Sequence, residues 1–402
     1  MRIFFITSKL NFENAGGSIE EYDLMMKTWQ ELGNEVTAVT TYSNANRIPN
    51  PLPYALKEEK IQNKNRWSIQ KGVLDIMRKY EKDADVFHVD GQFLYGAGLY
   101  RRLGGRVPVQ AYFNRELSCW EPMTSTMFPG CPNRKRYISK IKRSINSFIE
   151  RHIGMPIANG IDNRIYVGPH MKAEYEKFGM TSQGMIVLDP VDLRGMMKEH
   201  GISEQSYLNR NKQKGPITIF YSSRMAPGKG FDVLLAGFAR VKNKDNFKIV
   251  LGGGGPEEKC VHDAIKYFNL EKYVELTGWM DKTELLRRHA VADIYIQTEW
   301  IPYGTSISLM YAMAFGLPCV VNDAGGLKWL AGPAALTFKY RDPDDLARAI
   351  EQLGAIPELR AELSRGCYHR LADDELNYHL QLERVQQAML DMVRNRKDKP
   401  DR

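Results

Sequence analysis

Ile217-Thr218-Ile219-Phe220-Tyr221-Ser222-Ser223-Arg224-Met225-Ala226-Pro227-Gly228-Lys229-Gly230 is the stretch whose reading decides the fold. Residues 217–221 read as a short, β-rich apolar strand. A polar loop with an arginine and a lysine follows, and residues 231–241 then take up a helical apolar period. Strand, turn and helix in that order are the unit of a parallel sheet covered on both faces. In such sheets a ligand lies outside the carboxyl ends of the strands, which is where this loop falls.

Working outward, the same rhythm fills the second half. Residues 247–251, 274–276, 294–297 and 318–321 read as strands, and 257–268, 282–291, 306–315 and 343–353 as helices. The first half repeats it, with strands at 2–7, 35–41, 86–89, 107–113 and 185–188 and helices at 19–32 and 95–103. The Lys/Asn-rich stretch 204–215 lacks an apolar period and reads as a linker. Residues 374–394 read as a long helix with Leu376, Leu380, Leu382, Val385 and Met389 as its apolar stripe. Two α/β domains are therefore expected, 1–204 and 213–372, with a helix over 373–402 packing back toward the first.

The 402 residues are 43% hydrophobic and 26% charged, which is globular composition. The longest apolar run, 309–321, is too short to span a bilayer and is broken by Gly316 and Pro318. The opening strand is too short for a secretory signal. The 5 cysteines are scattered, which predicts a reducing compartment with no disulfide frame and no structural zinc. A cytoplasmic protein is expected. The net charge of +8 is uneven: residues 101–150 hold ten Lys/Arg against three Asp/Glu. That patch predicts an anionic partner, a phosphate-bearing acceptor or a membrane surface. The interleaved aromatics of nucleic-acid binders are missing, so no nucleic acid is expected.

Three segments fall at strand ends. Arg224 and Lys229 on one loop reach a diphosphate as a fork and a point charge. Gly252-Gly253-Gly254-Gly255-Pro256 lets a ligand approach the backbone. Gly304-Thr305-Ser306 opens a helix whose first N–H groups and dipole favour a phosphate. The bland readings are a solvated loop, a tight turn and a capped core helix. The order of all three in one chain favours an anion site.

On these residues the chain resembles the retaining GT-B glycosyltransferases, in particular glycosyltransferase family four. Arg224…Lys229-Gly230 resembles the family's diphosphate grip, and Gly253-Gly254-Gly255-Pro256 its Gly-x-Gly-Pro turn. Thr277-Gly278-Trp279-Met280 resembles the segment that meets the base. Gly304-Thr305-Ser306-Ile307 with Ala312-Met313-Ala314-x-Gly316-x-Pro318 resembles its longest signature, followed by Ala324-Gly325-Gly326. In the first half, Ala15-Gly16-Gly17-Ser18 resembles its Gly-Gly loop, 85–90 its strand-end histidine motif and 187–192 the close of its first domain.

The resemblance implies two Rossmann-like domains facing across a cleft. It implies a nucleotide-diphosphate sugar as donor, UDP favoured, and transfer with retention to a polysaccharide or lipid-linked acceptor. The catalytic set would be Arg224, Lys229, His88 and Asn114. Donor contacts would come from Gly16, Gly17, Gly255, Trp279, Met280, Tyr303, Gly304, Thr305, Ser306, Ile307 and Tyr311, with Asp90 and Arg115 on the acceptor side. No cofactor is expected, because two cations and a helix start stand where a metal would. The family's two signature glutamates are Tyr303 and Tyr311 here, which motivates a second reading: a GT-B-shaped binding partner without turnover. A nicotinamide-type oxidoreductase is disfavoured, since no early Gly-x-Gly-x-x-Gly is present. Residues 134–152 read as a basic amphipathic helix with Ile138, Ile141, Ile145, Phe148 and Ile149 as its stripe. The stripe is expected to pack into the first domain's core; the alternative is peripheral contact with an anionic bilayer at the inner membrane face.

Overall fold

The computed structural model describes residues 1–13, 17–48, 50–62, 65–114, 117, 128, 140–209, 215–299 and 304–397. By internal contacts the chain falls into two compact units. One comprises Met1–Trp120, Ser139–Val191 and Asp374–Arg402, the other Glu121–Ile138 and Asp192–Asp373.

The first unit is built on seven strands: β1 (Arg2–Thr7), β2 (Glu35–Thr40), β3 (Ala55–Glu58), β4 (Val86–Asp90), β5 (Val109–Phe113), β6 (Asn163–Tyr166) and β7 (Met185–Ile186). Their order is β3-β2-β1-β4-β5-β6-β7, and every pair is parallel. Every residue of β4 and β5 is buried, as a strand covered on both faces requires. The helix Tyr378–Lys397 packs on the helix Gly17–Glu31 of the same unit. Leu382, Val385 and Met389 are buried, and Trp29 Nε1 donates to the Leu382 carbonyl at 3.2 Å.

The second unit has six strands: β8 (Ile217–Ser222), β9 (Phe247–Gly252), β10 (Val274–Gly278), β11 (Ile294–Gln297), β12 (Cys319–Asn322) and β13 (Ala335–Phe338). Their order is β10-β9-β8-β11-β12-β13, again all parallel. The chain leaves β8 toward one edge and returns through β11 toward the other. The crevice between their carboxyl ends is therefore the switch point where such sheets bind ligands.

Three expectations change. Part of the stretch read as a linker is the helix Glu204–Asn209, and Tyr207 is buried with its hydroxyl on the Ala314 carbonyl at 2.5 Å. One buried aromatic anchors a segment too polar to show a period. Residues 192–204 accordingly group with the second unit. Second, Cys260 is disulfide-bonded, whereas Cys319 and Cys367 are free and buried. Spacing along the chain does not report proximity in space. Third, the 134–152 stripe is not a core element where it is described. In the helix Lys140–Ile149, Ile145 is 53% and Phe148 62% exposed. A wide π-helical turn, Glu150–Gly154, follows. Its Glu150 is buried and takes Arg66 Nη2 at 2.7 Å on one carboxylate oxygen and the Tyr95 hydroxyl on the other. Glu150 at the end of the element is what the core holds; Ile145 and Phe148 face out.

Candidate functional site

The switch point of the second unit is built from three loops. The loop after β8 is laced to the glycine turn after β9: Ser223 N–H donates to the Gly252 carbonyl at 3.2 Å and Met225 N–H to the Gly254 carbonyl at 2.9 Å. Gly230 ends this loop with a left-handed φ of 78°, and a Cβ there would strike the Thr298 carbonyl. The Thr298 hydroxyl returns a hydrogen bond to the Gly230 carbonyl at 2.7 Å. These contacts fix the β8 loop against the end of β11. The third loop follows β12: Asn322 accepts from Ala324 N–H at 3.0 Å, donates to the Glu299 carbonyl, and leads to Gly326, which lies against the Gly304 carbonyl.

Within this frame Arg224 is exposed and makes no ion pair among the described residues. Lys229 is half-buried, and its Nζ lies 2.5 Å from Glu299 Oε1. Sequence reading missed Glu299. It sits two residues beyond β11, outside any motif, and only the fold brings it under Lys229.

The helix Ile307–Ala314 opens as expected. Ser306 is its cap, and its Oγ accepts from Leu309 N–H at 3.2 Å. The cap serves one first-turn N–H; those of Ile307 and Ser308 have no acceptor within the helix itself. Gly304, Thr305 and Ser306 are half-buried. The buried His289 steadies this end, with Nδ1 2.8 Å from the Leu285 carbonyl and Nε2 3.2 Å from the Ser308 carbonyl. Trp279 is 63% exposed and lies beside Gly254, while the half-buried Met280 side chain covers Gly252. The indole therefore presents its apolar face to solvent beside the glycine turn. Gly255 backs onto the Met225 carbonyl.

Tyr311 is buried in the helix Ile307–Ala314, with its ring 6.2 Å from that of His289. Gly16, Arg115 and Tyr303 lie outside the described residues; Gly17 is the first residue of the helix Gly17–Glu31.

In the first unit His88 corrects the reading of a sugar-facing group. It lies inside β4, fully buried among the rings of Phe5, Trp29 and Tyr112, with Nδ1 3.1 Å from Gln110 Nε2. Burial pushes its pKa down to about 3, so the ring is neutral at physiological pH. Asp90 is also fully buried, capping its own turn by accepting from Gln92 N–H at 3.1 Å and Gln92 Nε2 at 2.6 Å. Asn114, just past β5, is half-buried. It donates to the Tyr22 hydroxyl at 3.1 Å, and its buried Oδ1 has no partner. His88 Nε2 is likewise buried without a hydrogen-bond partner, so among the described first-half candidates both side chains hold spare hydrogen-bonding capacity.

Residues 205–370 match the family model of Glycosyl transferases group 1. The matched segment contains all three loops of the switch point. One relative is a phosphatidylinositol N-acetylglucosaminyltransferase component of Arabidopsis thaliana, 26% identical over 36% of this chain and 33% of its own. The chain spans about a third of the length of the first curated relatives it matches. Among solved structures, sucrose-phosphate synthase from Thermosynechococcus elongatus superposes with a TM-score of 0.71 at 15% identity, covering 97% of this chain and 99% of that one. HepE from Anabaena, solved in complex with UDP, gives a TM-score of 0.68 at 14% identity over 96% and 100%. The fold is thus the GT-B fold of these proteins, two Rossmann-like parallel-sheet domains.

Proposed function

We propose that the protein is a retaining glycosyltransferase that moves a hexosyl group from a nucleotide-diphosphate sugar, UDP-linked by preference, to a polysaccharide or glycolipid acceptor. The observation that carries this reading is the β8–β11 switch point. Arg224 and Lys229 lie on the loop after β8, which Gly230 and Thr298 pin to the end of β11, and the capped helix Ile307–Ala314 follows β11 in the chain. Matching cations and helix-start donors are what a departing diphosphate needs.

In this mechanism the acceptor hydroxyl attacks from the face the diphosphate leaves, and the anomeric configuration is kept. Arg224, Lys229 and the N–H groups of Ile307 and Ser308 take up the charge that develops on the leaving phosphate. The rest of the rate comes from holding the two substrates together. Trp279 stacks on the base, and Asn114 orients the acceptor side. None of these roles needs the carboxylates that Tyr303 and Tyr311 replace, nor a metal ion, so turnover persists in excess EDTA. The UDP complex of HepE and the phosphatidylinositol named in the Arabidopsis relative support a UDP donor and a lipid-linked acceptor.

A lipid acceptor also accounts for the outward stripe of the helix Lys140–Ile149. Its exposed Ile145 and Phe148 sit in the basic segment 101–150, the composition of a peripheral contact with an anionic inner leaflet. No helix among the described residues is long and apolar enough to cross a membrane. Salt-sensitive binding to phosphatidylglycerol vesicles is expected; no binding at low salt removes the membrane part alone. The transfer reading is tested with a panel of UDP-, GDP- and ADP-sugars, the product anomer being read by NMR. Failure to bind or turn over any donor refutes it.

A further inference from the structure

Lys229 is spoken for before any ligand arrives. Its Nζ is 2.5 Å from Glu299 Oε1, and Glu299 is 8% exposed. The carboxylate is itself held in place. Gln297 Nε2 donates to Glu299 Oε2 at 3.3 Å, the Tyr295 hydroxyl donates to Gln297 Oε1 at 2.6 Å, and the Asn322 amide donates to the Glu299 carbonyl. Tyr295 and Gln297 come from β11, which frames the crevice with β8, and Asn322 from the end of the neighbouring β12. A chain of hydrogen bonds therefore presents a carboxylate to one of the two cations on the β8 loop, while Arg224 makes no ion pair among the described residues.

An ion pair in a partly buried site is worth several times its value in water. A diphosphate that takes a full contact from Lys229 must displace or share that carboxylate. When the product diphosphate leaves, the same carboxylate is in place to receive the ammonium, so neither partner is left as an unpaired buried charge.

Resting on the diphosphate reading above, we propose that Glu299 is a positioning residue of the donor pocket: it exchanges with the donor's diphosphate for Lys229, weakening nucleotide binding and easing release of the product. The pocket thus offers one committed cation, Arg224, and one negotiable cation, Lys229. The proposal makes an opposite prediction from a merely structural role, because removing the carboxylate must improve a binding function.

The test is calorimetric titration of the full chain and its Glu299→Gln variant with UDP and with inorganic pyrophosphate. Glu299→Gln is expected to bind both about tenfold more tightly than the parent, an effect of one partly screened charge. Inhibition by UDP in a transfer assay is expected to strengthen, and kcat to fall more than KM. In a Lys229→Gln background the same change gives no gain, because the cation being released is gone. A second neutral variant, Glu299→Met, gives the same gain and separates charge from amide hydrogen bonding; a variant that melts early is replaced by the other. Equal or weaker binding by both neutral variants, with the parent still binding, overturns the role of Glu299 and leaves the diphosphate site standing. No binding of either probe by parent and variants alike overturns both.

Discussion

In the first unit the carboxyl end of β4 closes on itself. Asp90 spends both carboxylate oxygens on Gln92, and His88 is sealed between aromatic rings. In the second unit the carboxyl end of β8 is open, with an exposed arginine and a half-buried lysine on its loop, and a capped helix start opens the helix Ile307–Ala314. Both sheets are parallel and follow the same doubly wound logic. The difference is one of access: His88 and Asp90 are fully buried at the end of β4, whereas Arg224 is exposed and Lys229 half-buried on the loop after β8, so only the second pair can meet a ligand without the sheet opening.

The largest blow to this comparison would come from the open end. Arg224→Ala combined with Lys229→Ala is expected to lower donor kcat/KM by about a thousandfold or more, with each cation contributing a charge-assisted contact of about 1.5–3 kcal/mol. Steady-state kinetics with the preferred donor sugar measure it, and retained turnover would place the diphosphate elsewhere.

The sealed end is sharpened by pH. The folded-state pKa of His88 is lowered to about 3, below its unfolded value. Between about pH 6.5 and 3 the unfolded chain binds a proton that the folded chain refuses. Stability should therefore fall with acid by up to about 1.4 kcal/mol per pH unit from this group. Denaturant melts of the parent and His88→Gln at pH 7 and pH 4.5 should differ in slope by about 2–3 kcal/mol, while the pH profile of transfer stays unchanged. A shifted activity profile would return His88 to the chemistry.

Two smaller changes probe the frame of the open end. Gly230→Ala drives a Cβ into the Thr298 carbonyl at a left-handed φ and should cost about 2–3 kcal/mol, read as a lowered melting temperature. Ser306→Ala removes a helix cap and should cost about 1 kcal/mol, with a matching rise in the donor KM.

What was legible in the sequence follows the same division. Glycines and cap residues report backbone geometry, which is local, so the loops after β8, β9 and β11 could be read from their own residues. The strands that went unread are β3, β6 and β13, each four residues long. β3 carries Lys57 and Glu58, and β6 carries the buried Arg164, so neither shows an apolar run. The Lys229–Glu299 pair joins residues seventy apart and the His88 cage is made from three other elements. Burial of that kind is a property of the assembled sheet and leaves no mark on neighbouring positions.

The wide turn at Glu150–Gly154 sets an angle. Such a turn holds one residue more than an ordinary helical turn needs, and each residue of an α-helix advances by about 100° around the axis. Glu150 locks the turn to Arg66 and Tyr95 on the body of the first unit. The helix Lys140–Ile149 that leads into it is therefore clocked by that single surplus residue. Deleting one position within the turn would keep composition, charge and helix length almost intact. It would nevertheless swing Ile145 and Phe148 about a quarter of a revolution away from where they now point.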